Sequence, residues 1–543
     1  MSDIAQKQFI SLLYPSEASK LSHADAANRP DISDEVVREL GLEEILRVRG
    51  VSLTDLFTAD EDVIRYRQQT LGDCLSIPEL CRALAAVRPV LDDIRELRVL
   101  ENEKSEADAY LYSITEIELY VSCIEILNEG LSPLKERFKS SAFRSLCELI
   151  STLCESEYYK ELNQKLNALS ARVHEIKSIT VGVNLDSTMR PTTSGVLSIN
   201  SEPFKSGKIL DKILRLSFRN DAFTTIAPLT PVLKSAVNDN RSEALVGAFN
   251  AAIEEVYRSA VKGWRSIVDE YVLDNADFLL QLIPEIEFLS RAVEMLRELE
   301  KHVECRISFP EIRPKSQKAF VAHGLYNPRV ALAISDEVIK NELVFDENAG
   351  IYILTGPNRG GKSVITVALG AAQAMFQLGL PVCADAASLS VADGIFTHFP
   401  EGADDTIDKG RLGEECARLR EIFDALNEYG LVLLDESFSS TGAFEATYIA
   451  SEILVALCAR RVRGIFSTHL HDLASALDSL NDRSKEFGGV RLDTLVAGIE
   501  EGKRSFLITR KKPDGKSYAR DIAQKYGLSL EELLARDQKE ANE

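Results

Sequence analysis

The sequence lacks the long apolar run that a membrane-spanning helix requires. Crossing the hydrocarbon core takes about 20 consecutive apolar residues, and no run of that kind occurs among the 543 residues. The first fifteen residues, MSDIAQKQFISLLYP, also lack a basic segment followed by a long apolar stretch. We therefore expect neither a transmembrane helix nor a secretory signal, and we predict a cytoplasmic protein with no membrane partner.

Paired cysteines are also missing. The nine cysteines are scattered along the chain, their number is odd, and none forms a CxxC pair. This distribution excludes the usual zinc motifs and gives no sign of a disulfide framework. Reduced thiols, which are typical of a cytosolic protein, are the expected state.

The chain also has no excess of basic residues. The chain has 63 Lys and Arg against 85 Asp and Glu, which gives a formal net charge of −22. This charge counts against a protein that coats nucleic acid non-specifically over its whole surface. Any contact with nucleic acid must come from a restricted basic surface or from a closed ring around the duplex.

One short segment could supply such a surface. Between residues 201 and 220, five basic side chains stand among only two acidic ones. They could bind phosphates without reading sequence, and a solvated helix face is the alternative interpretation. The five residues are Lys205, Lys208, Lys212, Arg215 and Arg219.

The apolar pattern divides the chain into four parts. Residues 1–177 have helical periodicity, as in Ile117, Val121 and Ile124. In 178–241, short apolar runs broken by turn residues predict strands and irregular structure, and helical periodicity returns over 242–305. The simplest geometry is a helical core with an outgoing lever, a small clamp-like insert and a returning lever. An irregular loop within an all-helical domain is the alternative.

The fourth part, 306–543, alternates strand-like and helix-like runs. This order is typical of an α/β domain with a parallel sheet. Its sharpest motif fits GxxxxGK[ST], follows the apolar strand Ile351–Leu354 and precedes a helix-competent run. Backbone N–H groups of such a loop face the phosphates of a nucleotide. The motif comprises Gly356, Pro357, Asn358, Arg359, Gly360, Gly361, Lys362 and Ser363.

Four residues of this part have expected roles in nucleotide chemistry. Lys362 should reach the β- and γ-phosphates of ATP, and the Ser363 hydroxyl should ligate Mg²⁺. A second motif, LVLLDE, ends an apolar strand with Asp435 and Glu436. Since ligands of open α/β sheets bind at the carboxyl ends of the strands, Asp435 should hold Mg²⁺ and Glu436 should activate the attacking water. A strand followed by an acidic turn is the structural alternative.

A third motif, Gly464–His469, is another apolar strand that ends in a hydroxyl group and a histidine. His469 would sense the γ-phosphate from the strand next to Asp435 and Glu436. A histidine with a purely structural role is the alternative interpretation.

Together these motifs resemble the MutS mismatch-repair family. TGPNRGGKS at 355–363 is similar to that family's TGPNMGGKS, and FSTHLHDL at 466–473 resembles its ATH motif. IFTHFPEGADD at 395–405 resembles IFTRVGAADD, and the segment at 514–533 resembles the closing KSYG segment. Weaker likeness extends upstream to FTADEDVIRYRQ at 57–68.

The resemblance implies a dimeric ATPase with composite nucleotide sites. Ser439, Ser440 and Thr441 would complete the site of the partner, and Asn341 matches a nucleotide-binding asparagine of the family. The implied fold is multidomain, with a helical core and lever domain, a small clamp-like insert and a C-terminal α/β P-loop NTPase domain of the ABC-like type. ATP and Mg²⁺ are the implied cofactors, and double-stranded or branched DNA is the implied partner of a homodimer or a dimer with a related subunit.

The sequence departs from the family at several points. Gly442 stands where the family usually has a serine that reaches the partner's ATP, and Val338 stands where an aromatic often stacks on adenine. Core-like sequence begins by about residue 35 with no Phe-x-Glu wedge before it. Since such a wedge is inserted between bases, we expect no direct reading of mismatches, and we expect no nuclease-like extension after the ATPase.

Two other classes of function stay open. One is an ABC- or SMC-like ATPase that acts on a protein partner, although no LSGG-type signature precedes the DE motif. The other is a nucleotide-gated scaffold with little turnover. Intact Lys362, Ser363, Asp435, Glu436 and His469 favour hydrolysis over this scaffold role.

Overall fold

The computed structural model describes residues 9–101, 106–174, 178–189, 191–200, 230–231, 277–301, 305–334, 337–400, 411–500 and 503–512. The chain forms two compact units. The first draws on Met1–Ile10, Pro78–Phe138 and Phe143–Ile283, and the second on Ser11–Ile77, Lys139–Ala142 and Pro284–Glu543. Within the described ranges, no helix combines the length and the apolar character needed to cross a bilayer.

Long helices form most of the first unit. Helices α5 (Pro78–Glu101) and α6 (Glu106–Leu131) pack against each other, and Ile117, Val121 and Ile124 of α6 are buried. Arg98 ties them together, because its guanidinium donates to the buried carboxylate of Glu116 at 2.8 Å. The helices from residue 61 to 174 are α4 (Glu61–Ser76, in the second unit), α5 (Pro78–Glu101), α6 (Glu106–Leu131), α7 (Ser141–Glu155) and α8 (Glu157–His174).

A small antiparallel sheet follows α8. Strands β1 (Ser178–Leu185) and β2 (Pro191–Asn200) form a hairpin, and β3 (Thr230–Pro231) pairs with β2. These are strands in the segment for which the sequence predicts them. The lever helices and the boundaries of the insert stay a prediction, because 201–229 and 232–276 lie outside the described residues.

The second unit contains the other described elements. Its short N-terminal helices are α1 (Glu17–Ala24), α2 (Asp34–Glu39) and α3 (Leu42–Leu46). Helix α9 (Asp277–Glu300) enters this unit at Pro284. The strands and helices that follow are β4 (Glu311–Ile312), β5 (Phe320–Leu325), α10 (Pro328–Ala333), β6 (Asn341–Phe345), β7 (Ile351–Thr355), α11 (Lys362–Gln377), β8 (Ala386–Leu389), β9 (Ile395–His398), α12 (Arg411–Ala425), β10 (Leu431–Asp435), α13 (Ala443–Ala459), β11 (Arg463–Ser467), α14 (His471–Ser475), α15 (Leu477–Glu486), β12 (Leu492–Glu500) and β13 (Lys503–Arg510).

The main sheet has the order β13-β12-β7-β11-β10-β9. The five strands β12, β7, β11, β10 and β9 run parallel to one another, and β13 pairs antiparallel with β12 at the edge of the sheet. Every residue of β7, β10 and β11 is buried. This matches the apolar runs of β7 and β10, since a parallel sheet is covered on both faces. A second sheet has the order β4-β8-β5-β6.

Alternation along β10 assigns its side chains to the two faces of the main sheet. Val432 and Leu434 belong to the apolar cluster formed with helices α12 to α15. Leu433 faces α11, because a Cβ built on Gly370 of that helix would lie 2.5 Å from Leu433 Cδ1. Asp435 is two residues further along β10 and therefore lies on the α11 face.

The multidomain prediction is confirmed at a coarse level, because the protein combines a largely helical part with mixed α/β sheets. The finer assignment to an ABC-like P-loop domain stays a prediction.

Candidate functional site

The loop between β7 and α11 holds the predicted phosphate-binding motif. Gly356 has φ 141° and Gly361 has φ 93°, conformations that side chains with a Cβ rarely adopt. A Cβ on Gly356 would also lie 2.7 Å from the Cβ of Ala497 on β12. Gly361 immediately precedes α11, so the backbone turns at a helix N-terminus, where N–H groups lack partners within the helix.

The side chains of this loop differ in exposure. Gly360 is buried and its N–H donates to the carbonyl oxygen of Pro357 at 3.1 Å. Asn358, Arg359 and Ser363 are exposed. Ser363 lies in the first turn of α11, directly after Lys362.

Lys362 is buried beneath the same loop. Its Nζ atom donates to the carbonyl oxygens of Gly356 and Pro357, each at 3.3 Å. Burial lowers the pKa of the ammonium group, and the nearby carboxylates of Glu436 and Asp435 partly oppose that shift. Among the described residues, no carboxylate forms an ion pair with this buried cation, which suits it to receive an anion such as a phosphate.

Glu436 and His469 meet at the carboxyl edge of the sheet. Oε1 of Glu436 lies 2.7 Å from Nε2 of His469, and the same Nε2 lies 3.4 Å from Nζ of Lys362. Glu436 adopts a φ of 51° directly after β10, and its N–H donates to Ser467 O at 2.8 Å. The left-handed turn thus brings a base, an imidazole and an ammonium group together beside the phosphate loop.

Asp435 offers an unused carboxylate oxygen on the α11 face. The residue is 5% exposed, and its Oδ1 has no hydrogen-bond partner among the described residues. Ser467 is the register partner of Asp435 on β11, and its buried hydroxyl likewise has no partner within the described ranges. Buried polar atoms are normally satisfied, so these oxygens fit a hydrated Mg²⁺, which prefers oxygen ligands and keeps several waters.

The segment after Glu436 is held by two residues that our sequence analysis did not assign. Nδ1 of buried His398, at the end of β9, lies 2.8 Å from the hydroxyl oxygen of Ser437. The N–H of Phe438 donates to Oε2 of Glu415, on α12, at 2.6 Å. Burial, followed by the positive charge of Arg418, lowers the pKa of His398 to about 4. The one sequence signal was His398 itself, which occupies the place of the arginine in the family's IFTR segment.

The predicted partner-site residues lie at the surface. Ser439 and Ser440 are exposed, and Thr441 donates its hydroxyl to Oε2 of Glu445 at 2.7 Å. Gly442 is also exposed, and a Cβ placed on it would meet nothing within 4 Å.

A cavity of about 370 Å³ lies beside the phosphate loop, and we call it the lateral cavity. Val338 and Asn341 both line it, together with Gly361 of the phosphate loop. Asn341 turns its amide toward β13, where it bonds the backbone of Phe506 and Ile508. The lining residues are Leu325, Tyr326, Asn327, Val330, Ile334, Glu337, Val338, Ile339, Asn341, Gly361, Val364, Ile365, Ala368 and Phe506.

Several sequence predictions cannot be placed. The basic residues Lys205, Lys208, Lys212, Arg215 and Arg219 lie outside the described residues. The same holds for 401–405 of the IFTH segment and for the KSYG-like segment at 514–533. Their suggested contacts with DNA and with a partner stay predictions.

Comparison with known proteins gives two family matches. A model described as the MutS2 N-terminal domain matches residues 59–302, and one described as MutS domain V matches residues 352–533. The two matches do not overlap. The first covers most of the largely helical part of the chain, and the second lies in the α/β part.

Curated relatives carry names from the same family. An "Endonuclease MutS2" of Thermus thermophilus is 28% identical over 224 residues, which is 41% of this chain and 28% of that protein. A "DNA mismatch repair protein MutS" of Lactobacillus delbrueckii is 28% identical over 257 residues, covering 45% of this chain and 28% of the relative. A second protein named "DNA mismatch repair protein MutS", from Prochlorococcus marinus, is 34% identical over 210 residues, which is 38% of this chain and 22% of that relative. The chain spans 22–28% of the length of these relatives.

Proposed function

Because the chain belongs to the MutS family, we propose that it is an ATP hydrolase whose nucleotide cycle controls the binding and clamping of DNA. The observation that carries this proposal is the cluster of Lys362, His469 and Glu436 beside the phosphate loop, with contacts of 3.4 Å and 2.7 Å. The cluster has the composition that phosphoryl transfer to water requires, with a cation for the phosphates and a carboxylate base for the water.

Each residue has one part in the reaction. The loop N–H groups and Lys362 bind the β- and γ-phosphates. The Glu436 carboxylate accepts a proton from the attacking water, and the hydrogen bond to His469 fixes the direction of that carboxylate. His469 in turn lies between Glu436 and Lys362, so that its ring is beside the γ-phosphate that Lys362 would bind.

Asp435 and Ser363 are the residues that would hold Mg²⁺. The unpartnered Oδ1 of Asp435 and the exposed hydroxyl of Ser363 supply oxygen atoms of the kind that this ion prefers. When bound, the ion neutralises charge on the phosphate oxygens.

The other parts of the chain bind DNA and a second subunit. Residues 1–177 form the helical core and outgoing lever, 178–241 the clamp-like insert, 242–305 the returning lever and 306–543 the ATPase and dimerisation domain. The surface residues Ser439, Ser440 and Thr441 complete the site of a second subunit. DNA, duplex or branched, is gripped by the insert and its basic residues. Direct mismatch reading is not part of the proposed role.

The test is ATP binding and phosphate release by the full chain with Mg²⁺. Lys362→Ala should abolish tight ATP binding. Glu436→Gln should retain ATP binding and lose turnover by about 10²–10⁴-fold, the range of general acid–base catalysis. Glu486→Gln, at an exposed carboxylate on α15, is the matched control and should behave as the wild type. ATP turnover that survives Glu436→Gln would overturn the assigned mechanism, and absence of ATP binding would overturn the function.

A further inference from the structure

The three residues that follow β10 form a turn with an uncommon backbone, and the first of them is the proposed catalytic base. Glu436 has φ 51° and Phe438 has φ 66°, so two residues with a Cβ occupy the left-handed region that glycine normally takes. Such conformations persist where the surrounding structure holds them, and they cluster at functional sites. The contacts that hold this turn therefore decide where the carboxylate of Glu436 points.

The first contact holds Ser437, the central residue of the turn. Ser437 is buried, and its hydroxyl oxygen lies 2.8 Å from Nδ1 of His398. His398 is the last residue of β9, which pairs in parallel with β10 and sets His398 beside Leu434. The imidazole is thus placed by the sheet, and the serine is held by the imidazole.

The second contact holds Phe438 and comes from helix α12. The ring of Phe438 is fully buried in the apolar cluster formed with helices α12 to α15. A buried backbone N–H needs a hydrogen-bond partner, and the N–H of Phe438 donates to Oε2 of Glu415 at 2.6 Å. Glu415 therefore stabilises the last residue of the turn directly.

Helix α12 is itself fastened close to Glu415. Three residues further along, the guanidinium group of Arg418 donates to Glu39 of α2 at 2.9 Å and lies 2.6 Å from Glu35. Leu419 of the same helix is buried in the apolar cluster. A helix that is anchored in this way can hold a catalytic group's neighbours within the narrow range that a reaction requires.

The two side chains that hold the turn act away from the phosphate loop. His398 and Glu415 both bond the turn itself. Within the described ranges, neither side chain forms a hydrogen bond with residues 356–363. Removing either one should therefore change the direction of the catalytic carboxylate and leave the binding of phosphates unchanged.

We propose that Glu415 and His398 are positioning residues for Glu436, because together they fix the turn from which the catalytic carboxylate projects. This inference rests on the proposed function and adds a supporting layer to the same site. Neither residue touches the reacting atoms, so their effect on the reaction passes through Glu436 alone.

The experiment separates ATP binding from turnover in the full chain with Mg²⁺. Glu415→Ala removes the acceptor of the Phe438 N–H, so phosphate release in a single turnover should fall about 10²-fold, the cost of displacing a catalytic group by about 1 Å. Equilibrium ATP binding should change less than about twofold. Glu415→Gln keeps an oxygen atom that can accept the same N–H and should restore most of the turnover. Glu421→Ala, at an exposed carboxylate on the same helix, is the matched control.

A double variant tests whether Glu415 acts through Glu436. Adding Glu415→Ala to Glu436→Gln should lower the residual turnover no further, because residues that act as one unit have non-additive effects. His398→Ala removes the partner of Ser437 and should also lower turnover with ATP binding intact. This second variant keeps the inference testable if Glu415→Ala does not fold, and urea unfolding midpoints show which variants are folded.

Four outcomes would overturn the inference. They are unchanged turnover in the folded Glu415→Ala or His398→Ala variant, an equal loss of turnover and ATP binding, equal losses of turnover in Glu415→Ala and Glu415→Gln, and a further multiplicative loss in the double variant. These results leave the proposed function standing. Failure of the unaltered chain to bind and hydrolyse ATP would instead overturn the proposed function itself.

Discussion

Glu436 and His469 stand 33 residues apart in the chain, yet Oε1 of the carboxylate lies 2.7 Å from Nε2 of the ring. The reason is the pairing of β10 with β11, which sets Asp435 opposite Ser467 in a parallel register. The residues that follow each strand therefore leave the sheet side by side. Removing the ring should free the carboxylate from its fixed direction.

His469→Ala should lower ATP turnover by about 10²–10⁴-fold, because general acid–base catalysis depends on a correctly directed base. ATP binding should persist, since the phosphate loop and Lys362 are unchanged. Single-turnover phosphate release beside equilibrium ATP binding is the measurement. The control is His471→Ala, at an exposed histidine two residues further on. Equal turnover in the two variants would show that His469 has no part in the reaction.

The strands and their terminal residues could be predicted from sequence because the signal is local. An apolar run that ends in polar residues marks a buried strand and its tip, and parallel strands bring their tips to one edge. Asp435, Glu436 and His469 are found by this rule, and Lys362 is found by the GxxxxGK[ST] motif that follows β7. The structure places these four around the phosphate loop, and their roles stay predictions.

The contacts that support the site could not be predicted in the same way. His398 and Ser437 are 39 residues apart, and Asn341 and Phe506 are 165 residues apart. No local pattern joins such pairs, because each depends on which elements become neighbours in space. The left-handed turn at Phe506 also has no glycine to indicate it.

Replacing a helical glycine with alanine should have opposite effects on stability at Gly370 of α11 and at Gly72 of α4, because only Gly370 is tightly packed. A Cβ on Gly370 would lie 2.4 Å from Leu40 Cδ2 and 2.5 Å from Leu433 Cδ1, and both leucines are fully buried. Gly370→Ala should therefore lower the free energy of unfolding by about 1–2 kcal/mol, as overpacking does.

Gly72→Ala is the matched control, because Gly72 lies within α4 and a Cβ there would meet nothing within 4 Å. Alanine is the better helix former, so this variant should gain about 0.5–1 kcal/mol. Urea unfolding midpoints measure both effects. A shift of the same sign in both variants would contradict the packing that we describe.

Two buried histidines predict a loss of stability on mild acidification. Burial, with lesser charge effects from neighbouring arginines, lowers the pKa of His398 and of His23 to about 4, from 6.5. As pH falls below about 6.5, the unfolded chain binds protons that the folded chain does not bind. The contribution of these two histidines to the free energy of unfolding should therefore decrease between about pH 6.5 and pH 4 and level off below that range.

His398→Gln removes one of these two groups and keeps an amide that can contact Ser437. Its unfolding midpoint in urea should depend less on pH than that of the wild type over this range. His471→Gln, at an exposed ring, is the control and should follow the wild type. A slope in His398→Gln as steep as in the wild type would contradict the assigned burial of His398.

Gly442 offers a gain-of-function test of the composite site. A Cβ there would meet nothing within 4 Å and φ is −63°, so a serine fits without strain. If the family's serine reaches the partner's ATP, Gly442→Ser should raise ATP turnover per subunit at protein concentrations that favour the dimer. Gly442→Ala controls for the added Cβ. Equal turnover in the two variants would contradict a contribution of this position to the partner's site.

The central claim is that ATP hydrolysis is coupled to DNA. The measurement is steady-state ATP turnover of the full chain with no DNA, with matched duplex, with mismatched duplex and with a four-way junction, in parallel with Glu436→Gln. We predict stimulation by the junction, no added response to the mismatch over the matched duplex, and loss of the stimulated turnover in Glu436→Gln. Turnover that depends on Glu436 but does not respond to any of these DNAs would contradict the claim and favour an ATPase that acts on a protein partner.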